Sequence, residues 1–400
     1  MARKLLLTGL IFLLASLFIF NSKLSVYAQE EEDSFSPDEI IVKFRSQIKE
    51  GEINDLNQFL GTRMGERLSL PQVFSLKVPR GKVKQFTDLF SRSHLVEFAE
   101  PNYVARAFVI PNDPSFDKQW GMTKIGAPQA WEITTGDGVV KIAILDSGID
   151  QDHEDLAGKI DKQKNFTASR TLDDKYGHGT HVAGIAAANT NNGKGVAGLG
   201  YKAKLLNAKV LNDNGSGYYS WIANGIKWAA DNGAKVINLS LGGPSASRTL
   251  EEAVNYAWAK GAVLACAAGN SGKESPNYPA YYQNCLATAA TDDKDQKASF
   301  SAYGSSWVDV AAPGVNIFST IPNQKSKVSS KRNYDYLSGT SMATPHVAGL
   351  AALVWATGKC QNLDAPCVRA KIEDTAYKAT GTETYWAKGR IDAYAAVSSK

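Results

Sequence analysis

Apolar residues in this chain come in short blocks of two kinds, and their order along the sequence predicts an architecture. Residues 139–145, 204–211, 235–239, 262–267, 286–290 and 308–310 are β-rich apolar runs of strand length. Because they are nearly continuous rather than alternating, they suit strands covered on both faces. Longer helix-compatible stretches lie between them. Alternating strand and helix signals predict an α/β domain, with a parallel sheet between two helical layers and functional side chains at the strand carboxyl ends.

The first quarter of the chain reads differently. Residues 39–44 and 73–78 are expected as strands, 50–60 and 81–90 as helices, and 96–108 as a last extended segment. That order fits a small ferredoxin-like αβ unit of about 70 residues. Ahead of it, residues 29–37 are acidic and expected to be unstructured. Ala2-Arg3-Lys4, the apolar run 5–20 and the small-residue ending Val26-Tyr27-Ala28 together read as a secretory signal cut after Ala28. The competing reading is an uncleaved anchor. No other run is long enough to span a bilayer, and no internal repeat or low-complexity tract is present.

Composition narrows the choice. With 400 residues, 44% apolar and 21% charged, the chain is globular in make-up and exceeds one average domain. A net charge of +4, without a concentrated Lys/Arg run beyond the first residues, points away from nucleic acid and membrane surfaces. Four cysteines in an exported chain allow three pairings. Cys360 and Cys367 bracket a short segment that a disulfide could close, whereas Cys266 and Cys285 could pair or remain buried thiols.

Three residues stand where their neighbours suit catalysis. Asp146 ends the 139–145 run and precedes Ser147-Gly148, so a buried strand would deliver it. His178 lies in Gly177-His178-Gly179-Thr180-His181, at the expected start of a tightly packed helix. Ser341, in Gly339-Thr340-Ser341-Met342-Ala343-Thr344-Pro345-His346, is expected at a helix N-terminus, where unpaired N–H groups can face an anion. A serine hydroxyl needs a base near neutral pH, and imidazole suits that task. A carboxylate on the other ring nitrogen fixes the tautomer and stabilises the imidazolium. Asn270, closing Ala267-Ala268-Gly269-Asn270, would offer its amide, with the Ser341 N–H, to a developing oxyanion. A zinc reading of His178 and His181 lacks acidic or cysteine ligands at the right spacing. His346 is expected to pack within the helix that carries Ser341.

These four segments resemble those of the subtilisin-like serine peptidases, family S8, and within them the thermitase-like branch. The resemblance runs from about Pro111 to the C-terminus. It implies a subtilisin-like fold and a serine endopeptidase that hydrolyses peptide bonds through an acyl-enzyme on Ser341. It also implies specificity walls at Ser240, Leu241 and Gly242 and at Ala267, Ala268 and Gly269. The segment 211–217, with Gly215, matches the edge that pairs with extended substrate. Calcium is the implied cofactor. Asp113 and Asp155 would hold it with the 189–196 loop, Asn192 giving a side-chain oxygen and Asn189, Lys194 and Val196 giving carbonyls. A second calcium site of that branch falls at 165–176, where most acids are missing and a basic residue intrudes.

Between a signal and such a domain, the αβ unit resembles the family's inhibitor I9-type propeptide, an intramolecular inhibitor and folding aid. The implied zymogen divides into a signal at 1–28, a propeptide at 29–108 (folded from about 38) and a peptidase at 109–400. The cut is expected near Phe108/Val109, because thermitase-like mature chains begin just before a run like Pro111-Asn112-Asp113-Pro114. The mature form is expected to be a monomer outside the cytoplasm, in the periplasm or the medium, without lasting membrane association or nucleic acid. Two rivals compete. An inactive binding protein on the same fold is disfavoured by the complete residue set, and an esterase by the Asp-His-Ser order and the lack of a Gly-x-Ser-x-Gly elbow.

Overall fold

The structure, a computed structural model, describes residues 35–104, 110–360 and 364–399. The expected signal, the expected cut at Phe108/Val109 and residues 361–363 lie outside the described residues. The chain forms two compact units that divide between Ala107 and Phe108.

The first unit contains β1 (Phe35–Phe44), α1 (Glu50–Leu60), β2 (Arg63–Arg67), β3 (Val73–Lys77), α2 (Val83–Ser91) and β4 (Val96–Tyr103). Its strands pair antiparallel in the order β2-β3-β1-β4, the ferredoxin-like arrangement. Ile40, Val42, Phe44, Ile53, Leu76 and Phe90 fill its core. The sequence pattern does not announce β2, because Arg-Met-Gly-Glu-Arg is exposed throughout and pairs along the sheet edge through its backbone, with no apolar face to bury.

The second unit opens with α3 (Trp120–Lys124) and α4 (Ala127–Ile133) and continues through β5 (Lys141–Asp146), β6 (Ile160–Asn165) and α5 (His178–Ala187). Next come β7 (Lys204–Lys209), α6 (Tyr219–Asp231), β8 (Val236–Leu239), α7 (Arg248–Ala259), β9 (Val263–Ala267) and β10 (Cys285–Thr291). The chain ends with β11 (Val310–Pro313), β12 (Ile317–Thr320), β13 (Tyr334–Leu337), α8 (Thr340–Ala356), α9 (Ala365–Asp374), β14 (Gly389–Arg390) and α10 (Ala393–Ser398). Eight strands form one parallel sheet in the order β14-β11-β10-β9-β8-β5-β7-β6.

Along β5, Ile142 and Ile144 point to one face and pack with Val182, Ile185, Val347 and Leu350. Ala143 and Leu145 point to the other and pack with Ile222, Ile226, Leu250 and Val254. Both faces are therefore dry, which explains the unbroken apolar runs. The strand order reverses around β5, whose neighbours are β7 and β8. Such a reversal opens a crevice at the strand carboxyl ends, and Asp146 sits there.

Two expectations shift. Residues 35–37, expected to be unstructured, open strand β1, where Phe35 pairs with Tyr103 of β4. The strand expected at 308–310 runs instead over Val310–Pro313, because the Val308 N–H is taken by a turn to the Gly304 carbonyl at 2.8 Å. The edge strand β6, Ile-Asp-Lys-Gln-Lys-Asn, carries charge and no apolar face for a pattern to reveal.

Cys360 and Cys367 form a disulfide, with Cα atoms 5.7 Å apart. Cys266 and Cys285 are free and buried on adjacent strands, and Cys266 lies opposite Ala287 rather than Cys285. Among the described residues no helix is long and apolar enough to cross a membrane. The Cys360→Ser/Cys367→Ser double variant should lose about 2 kcal/mol of stability for so short a loop. In a domain of this size that is roughly 4 °C in Tm, read by thermal unfolding of the mature form.

Candidate active site

Asp146 is fully buried at the end of β5, and His178 is the first residue of α5. His178 Nδ1 lies 2.8 Å from Asp146 Oδ1, and the same oxygen accepts the Ser147 N–H at 2.7 Å. Glycine makes this proximity possible. A methyl group on Gly179 would lie 2.2 Å from the Gly148 carbonyl oxygen and 3.0 Å from Asp146 Cβ, so the helix could not start so close to the strand. Burial alone would lower the His178 pKa. The Asp146 carboxylate outweighs it, with a smaller contribution from Asp174, and the imidazole ends above its ordinary value.

Ser341 is the second residue of α8, behind Gly339 at the N-cap. Pro345 lies inside this helix and has no N–H, so the Ser341 carbonyl receives no i+4 helical bond. Ser240 supplies the missing donor, its hydroxyl reaching that carbonyl at 2.9 Å. In return, Ser341 Oγ donates to the Ser240 carbonyl at 3.1 Å. Among the described residues no hydrogen bond joins Ser341 Oγ to His178.

Asn270 follows β9. Its Oδ1 accepts both the backbone N–H and the hydroxyl of Thr340, at 2.9 and 3.0 Å, and this fixes the amide orientation. The Thr340 hydroxyl in turn accepts the Gly269 N–H at 3.1 Å. Asn270 Nδ2 is thereby left facing the N-terminus of α8. A point where Gly339 would carry a Cβ lies 3.5 Å from Asn270 Nδ2 and 3.6 Å from the Ser341 nitrogen. Two donors thus converge on one small volume, which a side chain at 339 would invade.

Beside His178 is a cavity of about 370 Å³, lined by Leu211, Gly215, Tyr219, Ile222 and Ser240–Gly242 among others. Tyr176 also lines it, and its ring occupies the space that a side chain at Gly215 would need. The 211–217 segment is a turn, closed by Asn212 N–H to Ser216 at 2.8 Å and Gly215 N–H to Asn212 at 2.9 Å. Ala267 and Ala268 bury their side chains, so this wall presents backbone and Gly269. Asn277, which sequence reasoning missed, bridges the two walls. Its Nδ2 donates to the Ala267 carbonyl at 3.2 Å and would lie 2.1 Å from a methyl on Gly242. An asparagine before Tyr-Pro carries no pattern that could have singled it out.

The other histidines nearby are structural. His181 is buried and donates to the carbonyls of Ile317 and Asp335, and burial holds its pKa down at about 3. His346 is buried with Nδ1 on the Met342 carbonyl at 2.9 Å, its pKa lowered by burial to about 4.

Away from the cleft, Asp113 and Asp155 both face the 189–196 loop. Asp113 accepts the N–H groups of Asn191 and Asn192. Asp155 accepts from Asn192 Nδ2 at 2.9 Å and from the Val196 N–H at 2.8 Å, while Asn192 Oδ1 takes the Lys194 N–H at 2.9 Å. The side-chain oxygen expected for the cation is thus turned to the loop backbone, and the amide would have to flip to supply it. The Asp113 carboxyl is pushed up, first by burial and further by the Asp155 carboxylate. Among the described residues no hydrogen bond ends on the carbonyls of Asn189, Lys194 or Val196. Two close carboxylates with idle carbonyls fit a hard cation. Among the described residues no cluster of three or more His, Cys, Asp or Glu side chains forms, so neutral oxygens would have to complete the shell. In the 165–176 stretch, Asp173 is engaged by Lys175 at 2.7 Å and by Gln324 at 2.7 Å.

Residues 136–392 match the subtilase family, and residues 21–102 match the fervidolysin N-terminal prodomain. Thermitase of Thermoactinomyces vulgaris is 54% identical over 289 residues, covering 72% of this chain and 99% of that protein. A thermophilic serine proteinase of Bacillus sp. (strain AK1) is 43% identical over 382 residues, covering 93% and 90%. A solved protease from Pseudoalteromonas arctica PAMC 21717 aligns with a TM-score of 0.66 at 34% identity, covering 72% of this chain and 99% of that one.

Replacing Gly179 with alanine should separate the start of α5 from the end of β5 and lower kcat by about 100-fold or more, as read on a chromogenic peptide.

Proposed function

The chain belongs to the subtilase family and is a serine protease with an N-terminal prodomain, and from that premise we propose how its own residues carry the reaction. Ser341 is the nucleophile, His178 the base and Asp146 its partner. Asn270 and the Ser341 N–H receive the oxyanion. The observation that supports this most strongly is the 2.8 Å contact between His178 Nδ1 and the buried Asp146, beside the paired donors at the start of α8.

The Ser341 hydroxyl first turns from the Ser240 carbonyl toward His178 Nε2. As Oγ bonds to the scissile carbonyl carbon, its proton passes to Nε2, and Asp146 stabilises the imidazolium. Negative charge moves to the carbonyl oxygen, where Asn270 Nδ2 and the Ser341 N–H meet it. Collapse breaks the C–N bond, and His178 returns the proton to the leaving amine. Water then hydrolyses the ester by the same steps, with His178 again taking and returning a proton. In the related enzyme subtilisin, loss of an asparagine donor to the oxyanion lowers kcat by about 10²- to 10³-fold, and Asn270 is assigned a contribution of that size by analogy.

The substrate is extended polypeptide. Ser240, Leu241, Gly242, Gly215 and the Ala267–Ala268–Gly269 backbone border it. The protein is made as a secreted zymogen with a signal at 1–28, a propeptide at 29–108 that inhibits and assists folding, and a peptidase at 109–400 that acts as a monomer. A large apolar residue, Phe108, would then precede the self-cut. Calcium fits the Asp113–Asp155 site, with Asn192 and the carbonyls of Asn189, Lys194 and Val196. When bound it would neutralise two adjacent carboxylates and tie the loop to the domain, supplying stability and no step of the reaction.

Intact mass of the secreted protein beside its Ser341→Ala variant tests the zymogen. Wild type should start near Val109 while the variant keeps its propeptide; equal lengths would remove the support for self-cleavage by Ser341. Chelation by EDTA should lower the Tm of mature wild type and leave that of an Asp113→Asn/Asp155→Asn variant unmoved. An unchanged wild-type Tm would argue against bound calcium.

A further inference from the structure

Asp174 lies four residues before His178, is fully buried, and has no part in the reaction just described. Its Oδ1 accepts the Ser147 hydroxyl at 2.8 Å and the Gly177 N–H at 2.7 Å. Its Oδ2 accepts the Thr180 N–H at 2.8 Å and the Thr180 hydroxyl at 2.7 Å. Four donors therefore saturate one carboxylate that no solvent reaches.

The donors come from two separate elements. Ser147 directly follows Asp146, and its N–H holds the Asp146 oxygen that His178 uses. Gly177 and Thr180 flank His178 in the first turn of α5. Helix starts leave N–H groups unpaired, and a polar N-cap side chain ordinarily serves the third helical residue. Here the N-cap is Gly177 at φ 101°, a left-handed conformation that favours glycine and leaves no capping side chain. Asp174 performs that service from outside the helix. The two hydroxyls extend the links. Ser147 Oγ accepts the Gly179 N–H at 3.0 Å while donating to Asp174, and Thr180 Oγ1 accepts the Asp150 N–H at 3.0 Å.

We propose that Asp174 is the positioning residue of the Asp146–His178 pair, its carboxylate tying the strand end that carries Asp146 to the helix turn that carries His178. The inference rests on the reading of His178 as the base. An ordinary capping residue would affect stability alone. A positioning carboxylate must also set the distance and orientation of the ring, and its charge must act on the imidazolium. That charge raises the His178 pKa alongside the larger effect of Asp146.

The test is steady-state kinetics on a chromogenic peptide, against pH, with enzyme produced from the full chain as wild type, Asp174→Asn, Ser147→Ala and Ser341→Ala. In Asp174→Asn one amide nitrogen must face donors, and the charge is gone. The expected result is a kcat lowered about 10- to 100-fold, KM within about twofold of wild type, and the acid limb of kcat/KM moved to lower pH. The other charged groups around His178 stay in place. Asp146 acts on the ring directly, and the buried His181 is the ring's titratable neighbour, kept uncharged by burial; Lys209 sits on the Ser147 carbonyl, and Lys175 pairs with Asp173.

Ser147→Ala keeps the charge and cuts one tie, so kcat should fall severalfold with the acid limb unmoved; this variant carries the test if Asp174→Asn is not recovered folded. Wild-type kcat and acid limb in Asp174→Asn, or wild-type kcat in Ser147→Ala, would overturn the proposal. So would a loss that only follows the fraction of folded protein. An active Ser341→Ala would instead show that the reading of the site itself is wrong, whatever the other variants do.

Discussion

The near-contact between the first turn of α5 and the end of β5 is the constraint on which the rest of the site depends. Without a side chain at position 179 a helix can begin against the Gly148 carbonyl, and an imidazole at 178 then meets a carboxylate at 146 in hydrogen-bond geometry. Both elements are anchored well beyond the contact. β5 lies inside a sheet with neighbours on either side, and α5 is buried along nearly its whole length. The position of the pair is therefore set by core packing rather than by loop conformation, which is the condition for keeping reacting groups in register.

A second junction joins the opposite side of the cleft to the same core. A proline within α8 frees one helical carbonyl, and the Ser240 hydroxyl takes it. A residue that ordinarily weakens a helix here creates an attachment point between the proposed nucleophile and a specificity wall. Asn270 is held by the same helix through Thr340. Three of the four proposed reacting groups thus refer their positions to α8 or α5, and these two helices pack on one face of the sheet.

Much of this was legible in the sequence because the physics involved is local and repetitive. Dry strands wrote themselves as apolar runs, and Asp146, His178, Asn270 and Ser341 announced themselves through the small residues that crowd each of them. Strands β2 and β6 were not legible, since an edge strand needs only backbone partners and its polar side chains form no pattern. Asp174 and Asn277 were hidden for another reason. Each acts through contacts with segments far away in sequence or through an array of backbone donors, and a lone acid or amide among turn residues looks like any other solvated group. The fate of Cys266 and Cys285 was likewise open until the register placed Cys266 beside Ala287.

α8 is buried from Thr340 almost to its end, apart from the partly exposed Ser341. A segment so enclosed opens only with the domain as a whole, because no sub-global fluctuation can expose it without breaking the core on that face. For a protease this has a particular meaning, since every molecule lives among others able to digest it. The polypeptide stretch that bears the proposed nucleophile is closed to a neighbour's active site while the core is intact, so self-digestion must begin elsewhere, at exposed loops.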